Sequence, residues 1–160
     1  MSGNARVTAL RMLAQRRLTE AQLWARLERR GFSGDEARAA VESVKRDGFV
    51  DDALFARLFI DGKMKALGDA RLVAELVRRG IDRDAARNSV ATADRTESQR
   101  LDAAVEKLFR TRTSLSYPSA ARALERLGFP APAIYRTLRV RAQTEGLAVE
   151  VKVPHLCADN

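Results

Sequence analysis

LWARLERRGF (Leu23–Phe32), LVAELVRRGI (Leu72–Ile81) and AARALERLGF (Ala120–Phe129) align with one another without a gap. Their glycines, Gly31, Gly80 and Gly128, stand 49 and 48 residues apart. Self-similarity at a period of this length marks an array of helical units that stack on their neighbours. Leu23 with Leu27, and Leu72 with Leu76, are i, i+4 pairs that place an apolar stripe on one face of a helix. The glycine then ends that helix, because glycine enters the left-handed conformation without steric penalty. The apolar residue immediately after it tucks back under the helix end.

Working outward from each glycine, the pattern continues. A small or aliphatic residue follows six positions on (Ala37, Ala86, Ile134) and another ten positions on (Val41, Val90, Leu138). New helices start at Ser33, in the capping-box pattern SGDE, at Asp82, and around Pro130–Pro132. Upstream, Thr19 with Gln22 forms a second capping box, and Asp69 and Ser116–Pro118 mark the equivalent starts. Earlier still lie periodic segments at Ala9–Arg16, Leu54–Leu67 and Leu101–Arg110. Each unit thus holds three helices. The expectation is an all-α chain of three tandem three-helix repeats, at residues 1–50, 51–95 and 96–145, followed by a C-terminal tail at 146–160. The leucines and Phe32, Phe49, Phe55, Phe59 and Phe129 are expected in the cores. Trp24 and Tyr117 are candidates for stacking on a base, with partial burial the preferred assignment.

Composition bounds the function. The 160 residues are 46% hydrophobic and 31% charged, too apolar for general disorder. The formal net charge is +8 with a pI near 10.5, which favours a polyanionic partner. Residues 1–50 contribute +4, 51–95 contribute +1, 96–145 contribute +4 and the tail −1. Basic ends around a nearly neutral middle favour a partner that is part nucleic acid and part protein. One cysteine, Cys157, excludes an internal disulfide, and nowhere do eighteen apolar residues run together. With no apolar leader at Met1–Thr8, a cytoplasmic location is expected, with no membrane partner.

Catalytic constellations are missing. His155 and Cys157 share the tail, and two ligands do not make a tetrahedral metal site. Gly62 and Gly68 lack the spacing of a phosphate loop. The adjacent pair Asp51–Asp52 stands at a helix start, where capping explains it. The expectation is a non-enzymatic protein without metal or cofactor. The remaining candidates are basic: Arg16, Arg17, Arg29, Arg30, Arg78, Arg79 and Arg126. Arg29, Arg78 and Arg126 occupy one slot, two residues before each repeat glycine, and stacked repeats would set them in a spaced row. The competing explanation is that basic side chains in a last turn offset the helix dipole.

These residues also carry a family likeness. GFVDDALFA (Gly48–Ala56) resembles the segment gy-x-D/N-D-x-x-FA of RecX-family regulators. ALRMLAQRRLTEAQLWARLERRGF (Ala9–Phe32) is similar to that family's opening, GDARLVAELVRRGI (Gly68–Ile81) to its second repeat, and Tyr117–Leu138 more loosely to its third. The likeness covers roughly residues 5–142, and the tail EGLAVEVKVPHLCADN departs from it. The resemblance implies tandem three-helix repeats in a curved array. It implies a monomeric modulator of the RecA recombinase that lies along the groove of the RecA–single-stranded DNA filament. There it would inhibit recombinase, ATPase and co-protease activities, and it would bind single- and double-stranded DNA without sequence preference. The alternative is a helix-turn-helix-like regulator of transcription, since each glycine turn joins two helices. Against it, Asp35–Val44, Arg83–Ala93 and Ala133–Val140 are not uniformly rich in base-reading side chains.

Overall fold

The computed structural model describes residues 4–62, 66–112 and 114–144. Among these residues there are nine α-helices and no strand. They are α1 (Ala5–Gln15), α2 (Glu20–Arg29), α3 (Gly34–Arg46), α4 (Asp52–Asp61), α5 (Asp69–Arg78), α6 (Arg83–Ala91), α7 (Glu97–Thr111), α8 (Tyr117–Arg126) and α9 (Ala131–Thr144). The expected tail, with its alternating Val149, Val151 and Val153 and with His155 and Cys157, lies outside the described residues.

Local chemistry sets the helix ends. The Thr19 and Ser33 capping boxes form in both directions, and Thr96 with Gln99 makes a third ahead of α7. Asp82 caps α6 by accepting from the amides of Asp84 and Ala85. Gly31, Gly48, Gly80 and Gly128 all take φ between +79° and +91°. At each, the glycine N–H donates three residues back and the next N–H five residues back, as with Gly31 to Glu28 and Phe32 to Leu27. One boundary departs from the sequence pattern. The segment expected to run from Leu54 to Leu67 stops at Asp61, ahead of Gly62, whose lack of side-chain constraint weakens a helix there. Leu67 is not lost to packing: it is buried in the same core as Ile60.

Three cores result. Leu23, Leu27, Ala37 and Val41 meet Ala9 and Met12 between α1, α2 and α3. Leu72, Leu76, Ala86 and Val90 meet Ala56 and Ile60 between α4, α5 and α6. Ala120, Leu124, Ile134 and Leu138 meet Leu101 and Val105 between α7, α8 and α9. Each fully buried leucine contributes about 1.5–3 kcal/mol relative to exposure.

The groups of helices join through one recurring arrangement. The Thr19 hydroxyl, at the start of α2, donates to the Arg79 carbonyl at 2.6 Å, and the Gly68 N–H, at the start of α5, donates to the Leu127 carbonyl at 3.0 Å. Arg79 and Leu127 each precede a repeat glycine. An acid on the following first helix then reaches back to the same helix starts. Asp52 Oδ1 accepts from the Glu20 N–H at 2.9 Å, and Glu97 Oε1 from the Asp69 N–H at 2.7 Å. Both junctions therefore satisfy amides that a helix start leaves without intrahelical partners. The close approach needs glycine: a Cβ on Gly80 would overlap that of Ala21, and one on Gly128 would sit 2.5 Å from that of Arg71. Gly31 has open space there.

The second junction carries an added strut. Arg100, 1% exposed, donates from Nε to the Leu67 carbonyl at 3.0 Å and also to Asp69 and the Arg95 carbonyl. Burying a guanidinium is tolerated because its donors are used and a carboxylate faces it.

Candidate nucleic-acid interface

The last turns of α2, α5 and α8 place Arg29, Arg78 and Arg126 at one helical position, and all three are exposed. Their surroundings differ. Around the end of α1, where the chain turns through extended Arg16 into α2, Arg16, Arg29 and Arg30 line a cleft of about 230 Å³. Arg26 joins them, brought to the same face by its i, i+3 and i, i+4 spacing to Arg29 and Arg30. Met12 and Leu18 form the apolar floor, and among the described residues no carboxylate lines the cleft. Arg29 donates from Nε to the Ala25 carbonyl at 3.2 Å. Four guanidiniums on one concavity leave a strong positive field, which an anion with several oxygens would satisfy.

Arg17 faces the other side of the same corner. It lines a groove of about 360 Å³ with Arg16, Leu13, Phe49 and Phe55. The groove crosses from the first group of helices to the second, since Phe55 belongs to α4.

Arg78 and Arg79 are placed otherwise. Both meet Glu75, Arg78 at 2.7 Å and Arg79 at 2.6 Å, with Arg71 also 3.3 Å from that carboxylate. Arg79 donates as well to the Glu75 carbonyl and lies over the Phe59 ring, 4.3 Å from its centroid. The Arg79 hydrogen bond, with further help from Arg78, holds the Glu75 carboxyl below its ordinary value despite burial. Arg79 thus braces α5 against α4, while Arg78 still projects outward. Arg126 has no acidic partner among the described residues.

Further expectations meet different outcomes. Asp51 caps its own helix, accepting from the Leu54 amide at 2.9 Å, whereas Asp52 caps α2 in the preceding group. Burial pushes the Asp52 carboxyl up from its ordinary value, opposed by the Glu20 amide and Lys45. Phe49 was expected in the core and is instead 57% exposed; Val50, 3% exposed, takes the buried position after Gly48. Trp24 is 41% exposed on α2, and Tyr117 packs against Phe109 with ring centroids 5.4 Å apart. Arg26 was legible in its helical spacing. Nothing in the local pattern marks the exposure of Phe49, because every other apolar residue after a repeat glycine is at least partly buried.

Among the described residues no cluster of three potential metal ligands occurs, and no helix is long and apolar enough to cross a membrane.

Residues 5–43 match the family model described as the first three-helix domain of RecX, and residues 51–89 match the second. The chain belongs to the RecX family. It is similar to the regulatory protein RecX of Syntrophotalea carbinolica, 41% identical over 51 residues, covering 32% of this chain and 33% of that protein. The regulatory protein RecX of Caldanaerobacter subterraneus is 37% identical over 59 residues, 37% of this chain and 30% of the relative. That of Mycobacterium avium is 34% identical over 64 residues, 40% and 37% of the two chains. These matches span about a third of the curated relatives' length. The crystal structure of RecX from Lactobacillus salivarius superposes with a TM-score of 0.71 at 17% identity, covering 85% of this chain and 93% of that one. A second RecX crystal structure gives 0.70 at 14% identity, with 84% and 70% covered. At such identity the two structures speak for the fold: an all-α helical repeat. Membership of a family of regulatory proteins disfavours the helix-turn-helix transcription alternative.

Proposed function

We propose that this protein is a non-enzymatic regulator that binds the RecA–single-stranded DNA filament along its groove and inhibits its recombinase, ATPase and co-protease activities. The observation that carries this is the pair of consecutive RecX domains at residues 5–89 on a strongly basic chain. The reading takes the body as three repeats, at 1–50, 51–95 and 96–145, working as a cytoplasmic monomer. Three separate cores and two equivalent junctions support that division.

A series of similar units joined at similar junctions suits a partner that itself repeats. Each unit needs only a weak hold, because once one engages, the others face their sites at high effective concentration. Inhibition then equals the difference in affinity for two filament conformations. The arginines at the ends of α2, α5 and α8 serve phosphates or acidic side chains equally well, since the planar guanidinium donates paired hydrogen bonds. Binding to bare single- or double-stranded DNA is then sequence-independent and salt-sensitive.

The test is RecA's DNA-dependent ATPase with and without the protein. The expected result is a rate that falls with added protein to a plateau. An ATPase unchanged at saturating protein, with DNA binding intact, refutes the filament reading.

A further inference from the structure

Four helices end in the same glycine turn, and the apolar residue after each glycine would normally cover the helix end. Phe32 packs against the first core, Ile81 is 5% exposed and Phe129 is 4% exposed. Phe49 alone among them stands out in solvent, at 57%, although its amide makes the same bond, to Val44 at 2.9 Å. Val50 does the covering instead. Phe49 therefore leaves more than half of its surface in water, which is unfavourable for a phenyl ring.

Its position gives it a use. Phe49 lies at the groove shared with Phe55, Arg16 and Arg17, and Gln15, Arg16 and Leu18 line both that groove and the cleft of Arg26, Arg29 and Arg30. Asp51, the one carboxylate lining the groove among the described residues, is engaged by the Leu54 amide. Behind it, the Phe55 and Phe59 rings lie parallel within 6°, centroids 6.4 Å apart, with Arg79 over Phe59. A field of guanidiniums thus borders directly on an open aromatic face.

We propose that this corner is a single-stranded nucleic-acid subsite, with backbone phosphates in the arginine cleft and one base stacked on Phe49 beside Phe55. A nucleotide carries an anion and a flat π-face on the same residue, which matches both halves of the corner. Duplex DNA keeps its bases stacked on one another and offers Phe49 nothing, so the ring selects single strands. An acidic peptide would satisfy the arginines but leave the ring exposed. The assignment rests on the reading of the chain as a DNA-contacting regulator, and it adds where the strand lies and how a base is held.

The experiment uses fluorescence anisotropy with two labelled probes of equal length, oligothymidylate and an abasic oligonucleotide, without RecA. Phe49→Ala is expected to weaken oligothymidylate binding roughly tenfold and to leave abasic binding unchanged. The double variant Arg16→Ala/Arg29→Ala is expected to weaken both probes and to flatten the salt dependence by about 0.7 for each phosphate left without its arginine. Thermal melts of each variant confirm the fold, and Phe49→Leu, which keeps apolar bulk but no flat face, is expected to follow Phe49→Ala. Three results overturn the proposal: Phe49 variants that bind both probes like wild type, equal losses on the two probes, or displacement of oligothymidylate by polyglutamate in a Phe49-dependent manner. The last would make the corner a protein-docking site. RecA ATPase measured on the same proteins separates the two readings. Wild type that lowers the ATPase but binds neither probe overturns the subsite alone. Phe49-dependent probe binding with an untouched ATPase overturns the filament reading alone.

Discussion

Gly31→Ala and Gly80→Ala are chemically the same change at equivalent turns, and the structure predicts that they differ sharply. Both glycines have φ near +90°, where a side chain costs about 1–2 kcal/mol. A smaller gain from restricting the unfolded chain, about 0.4–1 kcal/mol, offsets part of that. At Gly31 the new methyl group meets nothing within 4 Å, so the net loss is about 1 kcal/mol. At Gly80 it falls inside the ordinary carbon–carbon separation from the Ala21 Cβ, by more than about 1 Å. The two helix groups must part to admit it. Overpacking of this kind costs about 1–3 kcal/mol. The shift also stretches the Thr19–Arg79 hydrogen bond, whose net contribution is about 1 kcal/mol. The total for Gly80→Ala is therefore about 3–5 kcal/mol. At roughly 2–4 °C per kcal/mol for a chain of this size, Gly31→Ala lowers Tm by about 3 °C and Gly80→Ala by about 10 °C or more. Urea titration and thermal melts of both variants provide the assay. Ala21→Gly removes the opposing methyl and should recover much of the loss only in the Gly80→Ala background, giving a coupling of at least about 1 kcal/mol. Equal destabilisation by the two substitutions, with no coupling to Ala21, would refute the close junction and leave these glycines as helix caps alone.

Asp52→Asn should leave urea stability at or slightly above wild type at pH 7, while Asp52→Ala should lose about 1 kcal/mol or more by stranding the Glu20 amide. The sign follows from its raised carboxyl: the folded protein holds the proton more tightly, so this group's contribution falls as pH climbs from 3.8, and Asn removes that penalty. Glu75 works in the opposite sense. Its lowered carboxyl adds stability above 4.5 that is lost as pH falls through the folded value, so melts between pH 6 and 3 should show a steeper acid loss for wild type than for Glu75→Gln. For the arginine row, Arg29→Ala/Arg78→Ala/Arg126→Ala should bind single-stranded DNA with a shallower salt slope, by about 0.7 for each phosphate no longer neutralised. Coincident slopes for two folded proteins would reduce the row to compensation of helix dipoles.

The parts of this protein that were legible in one dimension are those made by interactions a few residues long. The Leu23/Leu27 stripe, the Thr19–Gln22 and Ser33–Glu36 boxes and the positive-φ glycines depend on hydrogen bonds and packing within one or two helical turns. A gapless repeat then carried the same inference to the second and third copies, and it was enough to expect an all-α body. Where propensity was left to decide alone, as after Asp61, the boundary was misplaced by several residues.

What the pattern did not contain is how the copies meet. Gly31 and Gly80 read identically, yet one faces open space and the other Ala21, because the first copy has no described neighbour on that side. Asp52 read as a cap for its own helix and serves one 32 residues earlier. Arg78 shares its slot with Arg29, and only its pairing with Glu75, where the first repeat has Arg26, follows from local i, i+3 spacing. Phe49 follows its glycine as Phe32 does and is left exposed because Val50 reaches the core first. The Gly80 and Asp52 outcomes turn on which surfaces meet after some 30 to 60 residues of intervening chain have folded. Helical periodicity is a local property, whereas the close approach at Gly80, the reach of Asp52 to an earlier helix and the meeting of two clefts at one corner exist only once distant helices share the same space.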